Sequence, residues 1–364
     1  MPDVLIVGGG VVGLTAAWEL MRAGATVTVL DRGPMGAEAS WAGAGMIPPS
    51  EPHSSPGVRE LAFRSATLWP NLSQSLLEAT GQDNGYRRCS GWHLSFQQDP
   101  HHELTQEAAQ WRECGVPAEV IAGSALRQTA PEMSPEIFCA LSLPTMAQVR
   151  NPWHLRALMQ AVTNRDGQLL PHSPCCDFET DGERVLAVRT ESERLEADQF
   201  LIATGSWTTP LLSKIGLRVP IRPIRGQILL LNTGERLFSR VIEAGRRYLV
   251  PRDDGRVLVG ATEEDVGFEK GNTSDAIESL RAFANSIVPE LARAKFEKTW
   301  SGLRPQSERG APWIGPAPTF SNLYLAAGHF RSGLALSAGT AVLLRELMNG
   351  ETPTIDPSEF AWRE

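Results

Sequence analysis

Residues 3–31 read DVLIVGGGVVGLTAAWELMRAGATVTVLD, and the fold turns on them. Residues 4–7 form a short apolar run of buried-strand type, 13–23 are helical with Gly24 as the stop, and 26–30 read as a second strand. Gly8, Gly10 and Gly13 make G-x-G-x-x-G directly after the first strand, at the opening of the helix. That spacing lets the backbone turn tightly and bring a pyrophosphate against the helix N-terminus. Asp31 closes the second strand, where a carboxylate accepts hydrogen bonds from a ribose diol. The same carboxylate repels a 2′-phosphate, which disfavours NADP despite the adjacent Arg32, and leaves NAD or FAD. The stretch 36–46, GAEASWAGAGM, favours FAD: side chains this small suit a long cofactor lying flat across the sheet, although alone the run also reads as a flexible loop.

Working outward, residues 199–203 and 323–326 are further apolar runs that end in glycine, in Ala203-Thr204-Gly205 and Ala327-Gly328, and they are expected to join the same parallel sheet. Between them 224–231, 248–251 and 256–260 read as strands, with Asp254-Gly255 as a hairpin turn, so a second, antiparallel domain is expected. Residues 59–80, 101–115 and 275–287 read as helices. The expected class is α/β, a Rossmann-like FAD-binding domain (1–84, 147–219, 301–364) interleaved with a smaller α+β substrate domain (85–146, 220–300) built on an antiparallel sheet.

The 364 residues are 42% apolar, enough for a large core without staples. A formal charge of −8 with no basic stripe argues against nucleic acid. Five cysteines (Cys89, Cys114, Cys139, Cys175, Cys176), odd in number and without C-x-x-C spacing, fit a reducing cytoplasm. Met1-Pro2-Asp3 supplies no basic leader, and no stretch of about 18 apolar residues spans a membrane. His53, His101 and His102 lack the partners of a metal site, so no metal is expected.

Eight further motifs fall in one order along the chain: VGGGVVGL (7–14), EASWAGAGM (38–46), IATGSW (202–207), IRGQ (224–227), YLVPR (248–252), VGAT (259–262), SGLRP (301–305) and AAGHFRSGL (326–334). On these the chain resembles, nearly end to end, the D-amino acid oxidase family of flavoproteins, and within it the bacterial glycine oxidases of thiamine biosynthesis. The resemblance implies non-covalent FAD lined by Val11, Val12, Asp31, Arg32, Ala39, Ser40, Ala44, Gly45 and Met46, together with the dinucleotide glycines and Gly205. It also implies a backbone contact to the adenine end at Cys175, and passage of His329, Phe330, Arg331, Ser332, Gly333, Leu334 and Ala335 along the flavin's pyrimidine edge. It implies oxidation of glycine or a related small amino acid (sarcosine, D-alanine, D-proline) to the imine and 2-oxo acid, with O2 reduced to H2O2 and the imine feeding thiazole synthesis. Arg304 is then the carboxylate clamp, Tyr248 lies beside the carboxylate, and Arg331 stands near both substrate and flavin. The pair Arg246-Arg247 departs from the less charged residues common there and bears on fine substrate preference.

The chemistry suits these residue types. Arginine's planar fork meets both oxygens of a carboxylate, and such a bond is worth roughly 1.5–3 kcal/mol; alone, Arg304 also reads as a surface ion pair. Tyr248 can donate its phenol hydrogen to the same carboxylate, though a lone strand tyrosine also reads as core. The helix after residue 333 offers its N-terminal dipole to the edge where negative charge accumulates on reduction. No side-chain base is required if the amine binds neutral, and none is assigned. His329 reads as a relay or as structural, and Trp41 as packing. The other readings are a D-amino acid dehydrogenase with a non-oxygen acceptor, an NAD-linked dehydrogenase, which the lack of a second G-x-G-x-x-G disfavours, and a non-catalytic FAD subunit. Covalent flavin of the sarcosine-oxidase kind is excluded, because every cysteine lies at or before position 176. Homo-oligomerisation stays open.

Overall fold

The computed structural model describes residues 3–362; Met1 and Pro2, which enter the reading of the N-terminal leader, lie outside them. Side chains alternate across a strand, and in Asp3–Val7 both faces are apolar. Val4 and Ile6 therefore pack on one side with Leu20, Leu61 and Leu343 from helices, while Leu5 and Val7 pack on the other with Phe178, Val188 and Phe320. A strand buried on both faces belongs inside a parallel sheet. Asp3–Val7 pairs in parallel with Thr26–Leu30 on one side and Gln199–Ile202 on the other. Gln168–Leu170 extends the sheet beyond the first neighbour; Leu323–Ala327 extends it beyond the second, and Trp313–Pro316 closes that edge antiparallel. The strand order thus reverses at Asp3–Val7, which opens a crevice at the carboxyl ends of the strands.

The helices Val11–Arg22, Pro56–Thr80 and Gly333–Met348 cover one face of this sheet. A small antiparallel sheet (Asp177–Thr180, Val185–Arg189, Arg194–Glu196) covers the other. Gly8 holds φ +117°, and a β-carbon there would meet the Ala203 carbonyl oxygen at 2.3 Å. The turn therefore requires glycine.

The second layer is an eight-stranded sheet in the order Lys295–Ser307, Ile221–Asn232, Arg256–Gly260, Arg247–Pro251, Val241–Ala244, Gly91–Leu94, Cys139–Leu143, Glu119–Ala122. Leu229, Leu231, Val257 and Val259 pack under the helix Ser274–Ile287. Residues one position away, Ile228, Leu230 and Tyr248, face the opposite side with Trp300. Each fully buried aliphatic or aromatic side chain contributes about 1.5–3 kcal/mol, so this alternation fixes the register.

Several expectations are corrected. The first helix spans Val11–Arg22 rather than 13–23, since Gly10 takes the extended N-cap conformation. The run at 36–46 is no open loop: Glu38–Ala42 is helical, and Asn151 Nδ2 donates to the Ser40 carbonyl. The second sheet is antiparallel except for one parallel pair, Val241–Ala244 with Gly91–Leu94. The strand Lys295–Ser307 runs through position 300/301 and pairs with Ile221–Asn232 as far as Ser307. Gly302 and Pro305 are both paired within that strand.

Candidate active site

A cavity of about 780 Å³ runs between the two sheets, within the range of sites for large organic ligands. One wall starts at the strand-to-helix turn. Gly8, Gly10, Val11 and Val12 line it, while Gly13 does not: it sits behind the turn, where a β-carbon would meet the Gly8 carbonyl oxygen at 2.0 Å. Gly13 thus serves helix-to-strand packing, not the contact surface expected of it. The Val11 amide donates to Ser40 Oγ at 2.8 Å, tying the small-residue segment to the helix start.

Asp31 accepts from the Gly9 amide at 2.8 Å on one oxygen and from the Gly33 amide at 2.9 Å on the other. Burial raises its pKa, and the two amides oppose that. Each carboxylate oxygen keeps a lone pair for a diol. Arg32 stacks over Trp207, its guanidinium carbon 3.5 Å from the ring centroid, and pairs with Glu38 at 3.0 Å. Ala39, Ala44, Gly45, Met46, Cys175 and Gly205 also line the cavity. Burial pushes the Cys175 thiol up to about 12, so it stays a neutral, inert wall. All five cysteines are free thiols.

This donor set fits a flavin dinucleotide. Gly8 and Gly45 line the cavity while packed so tightly on backbone that a β-carbon would meet the Ala203 carbonyl oxygen at 2.3 Å and the Val149 carbonyl oxygen at 2.0 Å, so both walls require glycine. The segment 44–46 is braced from the second sheet by Arg252. Its guanidinium is buried and donates to the carbonyls of Ala44 (2.8 Å) and Val149 (3.1 Å) and to Gln148 Oε1 (2.6 Å). Burial pulls the Arg252 pKa down to about 10.

The other wall belongs to the eight-stranded sheet. Tyr248 and Arg304, far apart in sequence, meet there: the guanidinium interacts with the phenol, and its Nη1 donates to the Thr262 carbonyl at 3.0 Å. Burial raises the Tyr248 pKa, with Arg304 and Arg331 opposing, so the phenol keeps its proton. Two missing side chains make space for the pair. A β-carbon on Gly260 would meet the Tyr248 hydroxyl oxygen at 2.5 Å, and one on Gly226 would meet Arg304 Nη1 at 2.1 Å.

His329, Phe330, Arg331, Ser332, Gly333, Leu334 and Ala335 all line the cavity and lead into the helix Gly333–Met348, whose N-terminus faces it. Burial lowers the His329 pKa to about 4, and Nε2 is bonded to Thr340 Oγ1 at 3.1 Å. The neutral ring is thus a strut within the loop. Arg331 Nη2 donates to the Arg246 carbonyl at 3.1 Å, and Nη1 lies 3.6 Å from Glu263. Glu263 also holds Arg246 at 2.9 Å; the Arg246 side chain is exposed, and Arg247 turns to Ser279. Trp41 packs edge-on against Trp300 and does not line the cavity.

Among the lining residues that sequence reading missed are His93, Glu243 and Glu51. His93 pairs in register with Glu243, and Glu243 with Tyr248, so one row of the sheet carries all three. His93 Nδ1 is 2.6 Å from Glu107, and Nε2 is 3.5 Å from Glu243. Burial disfavours the imidazolium, but the two carboxylates outweigh it and hold the His93 pKa at about 10. The strand Gly91–Leu94 is too short to announce itself, and nothing in its sequence points to carboxylates 14 and 150 residues on. No group of three potential metal ligands occurs among the described residues.

A family model described as FAD dependent oxidoreductase matches residues 3–347. A glycine oxidase of Pseudomonas aeruginosa is 38% identical over 363 residues, covering 98% of each chain. A bifunctional protein ThiO/ThiG of a Nostoc species is 32% identical over 352 residues, covering 95% of this chain and 52% of that one. The crystal structure of glycine oxidase from Geobacillus kaustophilus superposes with a TM-score of 0.95 at 29% identity, over 100% of this chain and 98% of that one.

Proposed function

Since the chain belongs to the family of FAD dependent oxidoreductases, we propose that it oxidises the C–N bond of glycine or a related small amino acid. The product is the imine, which water converts to the 2-oxo acid, and O2 leaves as H2O2. The observation that carries this reading is the Arg304–Tyr248 pair, a cation and a phenol brought together on the wall opposite the glycine turn of one cavity. A chain that only stored the cofactor has no use for such a clamp. Support for glycine comes from the glycine oxidases to which the chain is similar. A role in supplying an imine to thiazole synthesis is supported by the ThiO/ThiG relative and the sequence resemblance.

Bound FAD supplies the hydride acceptor and returns the electron pair to O2. The chain's own residues bind and orient. Arg304, with Nη1 fixed on the Thr262 carbonyl, presents its fork to the substrate carboxylate. Tyr248 stays protonated and adds a hydrogen bond to the same group. Arg331 adds positive charge nearby, anchored through the Arg246 carbonyl. The N-terminus of Gly333–Met348 faces the cavity with no acidic residue in its first turn, so its partial positive charge favours the anion that accumulates on reduction. Asp31, Ser40 and the glycine turn hold the nucleotide end, which sets how the α-carbon is presented.

A peroxide-coupled assay of the yellow, FAD-loaded protein across glycine, sarcosine, D-alanine and D-proline tests the reading. The expected result is one peroxide per substrate oxidised. Turnover with a dye acceptor but not with O2 would make the chain a dehydrogenase, and no turnover with any of the four would overturn the proposal.

A further inference from the structure

We propose that Glu51 takes the proton from the substrate's ammonium nitrogen, so that the chain deprotonates the amino acid itself instead of selecting the scarce neutral form. The inference rests on the amino acid oxidase reading above. An amino acid reaches the cavity as a zwitterion, and a protonated nitrogen has no lone pair with which to stabilise the cation left as hydride departs. A proton acceptor beside the clamp resolves this. The step balances without an oxidant: the N–H bond breaks, its electron pair stays on nitrogen, and an O–H bond forms on the Glu51 carboxylate.

The geometry narrows the choice. Glu51 lines the same cavity as Tyr248, Arg304 and Arg331, just after the strand Met46–Ile47, and one of its oxygens accepts from Ser332 Oγ at 2.5 Å. The groups facing it are Glu243 from Val241–Ala244, Arg331 and Ser332 from the turn before the last helix, and His53 from its own segment. Four other titratable side chains at this end are already committed. His93 carries its proton between Glu107 and Glu243. Glu243 gives its bonding capacity to His93, which outweighs burial and lowers its pKa. His329 is bonded to Thr340 and is a weak base. Tyr248 stays a phenol. For the Glu51 carboxyl, unlike that of Glu243, burial, reinforced by the charge of Glu243, prevails over Ser332, Arg331 and His53 and raises the pKa. That shift strengthens it as an acceptor.

The test is kcat/KM against pH for FAD-loaded wild type, Glu51→Gln, Glu51→Asp and Ser332→Ala, using the best substrate of the assay above. Glu51→Gln should keep its yellow colour and fall about 100-fold near neutral pH. It should then climb tenfold per pH unit until the substrate's own ammonium ionises, where it approaches wild type. Glu51→Asp should retain an acid limb well below that point. In Ser332→Ala the limb should move up, because a donor that favours the carboxylate is gone. An unchanged profile in Glu51→Gln, or a loss uniform with pH and confined to KM, overturns the proposal. A wild type that oxidises no amino acid would instead sink the functional reading on which it rests.

Discussion

Gly226 and Arg304 sit on neighbouring strands so close together that a β-carbon on the glycine would lie 2.1 Å from the guanidinium Nη1. The proposed carboxylate clamp therefore depends on a missing side chain as much as on a present one. Gly226→Ala should push the guanidinium off its position by an ångström or more, since ordinary contacts lie beyond about 3.4 Å. A misplacement of that size costs about 100-fold in kcat/KM. Steady-state kinetics with a parallel absorbance measurement of bound FAD check this; unchanged kinetics would show that the clamp is placed elsewhere.

Arg304→Ala removes the cation itself. Losing a charge-assisted bond of about 1.5–3 kcal/mol should lower kcat/KM by about 10- to 100-fold, chiefly through KM, with flavin retained. Loss of flavin in step with activity would refute the assignment.

Arg252→Met tests the brace between the sheets. Three acceptors, the carbonyls of Ala44 and Val149 and the Gln148 amide oxygen, lose their buried donor. The cost should be about 3 kcal/mol of stability, read from urea unfolding, with weaker retention of FAD because Ala44 lines the cavity. A variant as stable as wild type and equally yellow would dismiss the brace.

His93→Gln tests the charged row. An imidazole at about 10 in the folded chain, against 6.5 unfolded, gives stability that is whole below pH 6.5 and is lost as pH rises through 10. Its partners Glu107 and Glu243 are lowered, so their share appears above their usual 4.5 and is lost in acid. The variant should be about 3 kcal/mol less stable at pH 7, with the gap narrowing toward pH 10. A gap independent of pH would mean that packing, not charge, is what His93 contributes.

The nucleotide half was legible because its signals are local. Gly8, Gly10 and Asp31 lie within one strand–helix–strand unit, and each has a backbone or hydrogen-bonding reason for its type. Arg304 and Tyr248 were legible only through resemblance, since their meeting depends on strands paired across the whole second sheet. Glu51, Glu243 and His93 were not legible at all. His93 and Glu243 meet through the register between Gly91–Leu94 and Val241–Ala244, a parallel pairing that no periodicity announces, and Glu51 follows a strand of two residues, Met46–Ile47.

The sheet that receives the nucleotide gathers its strands from positions 3–30, 168–202 and 313–327. A ribosome must therefore deliver the chain through residue 327 before Leu323–Ala327 can dock beside Gln199–Ile202 and supply its share of the crevice lining. Flavin capture in this sense waits on a strand more than three hundred residues past the glycine turn, and a product truncated before residue 323 should emerge colourless whatever the condition of its N-terminal glycines.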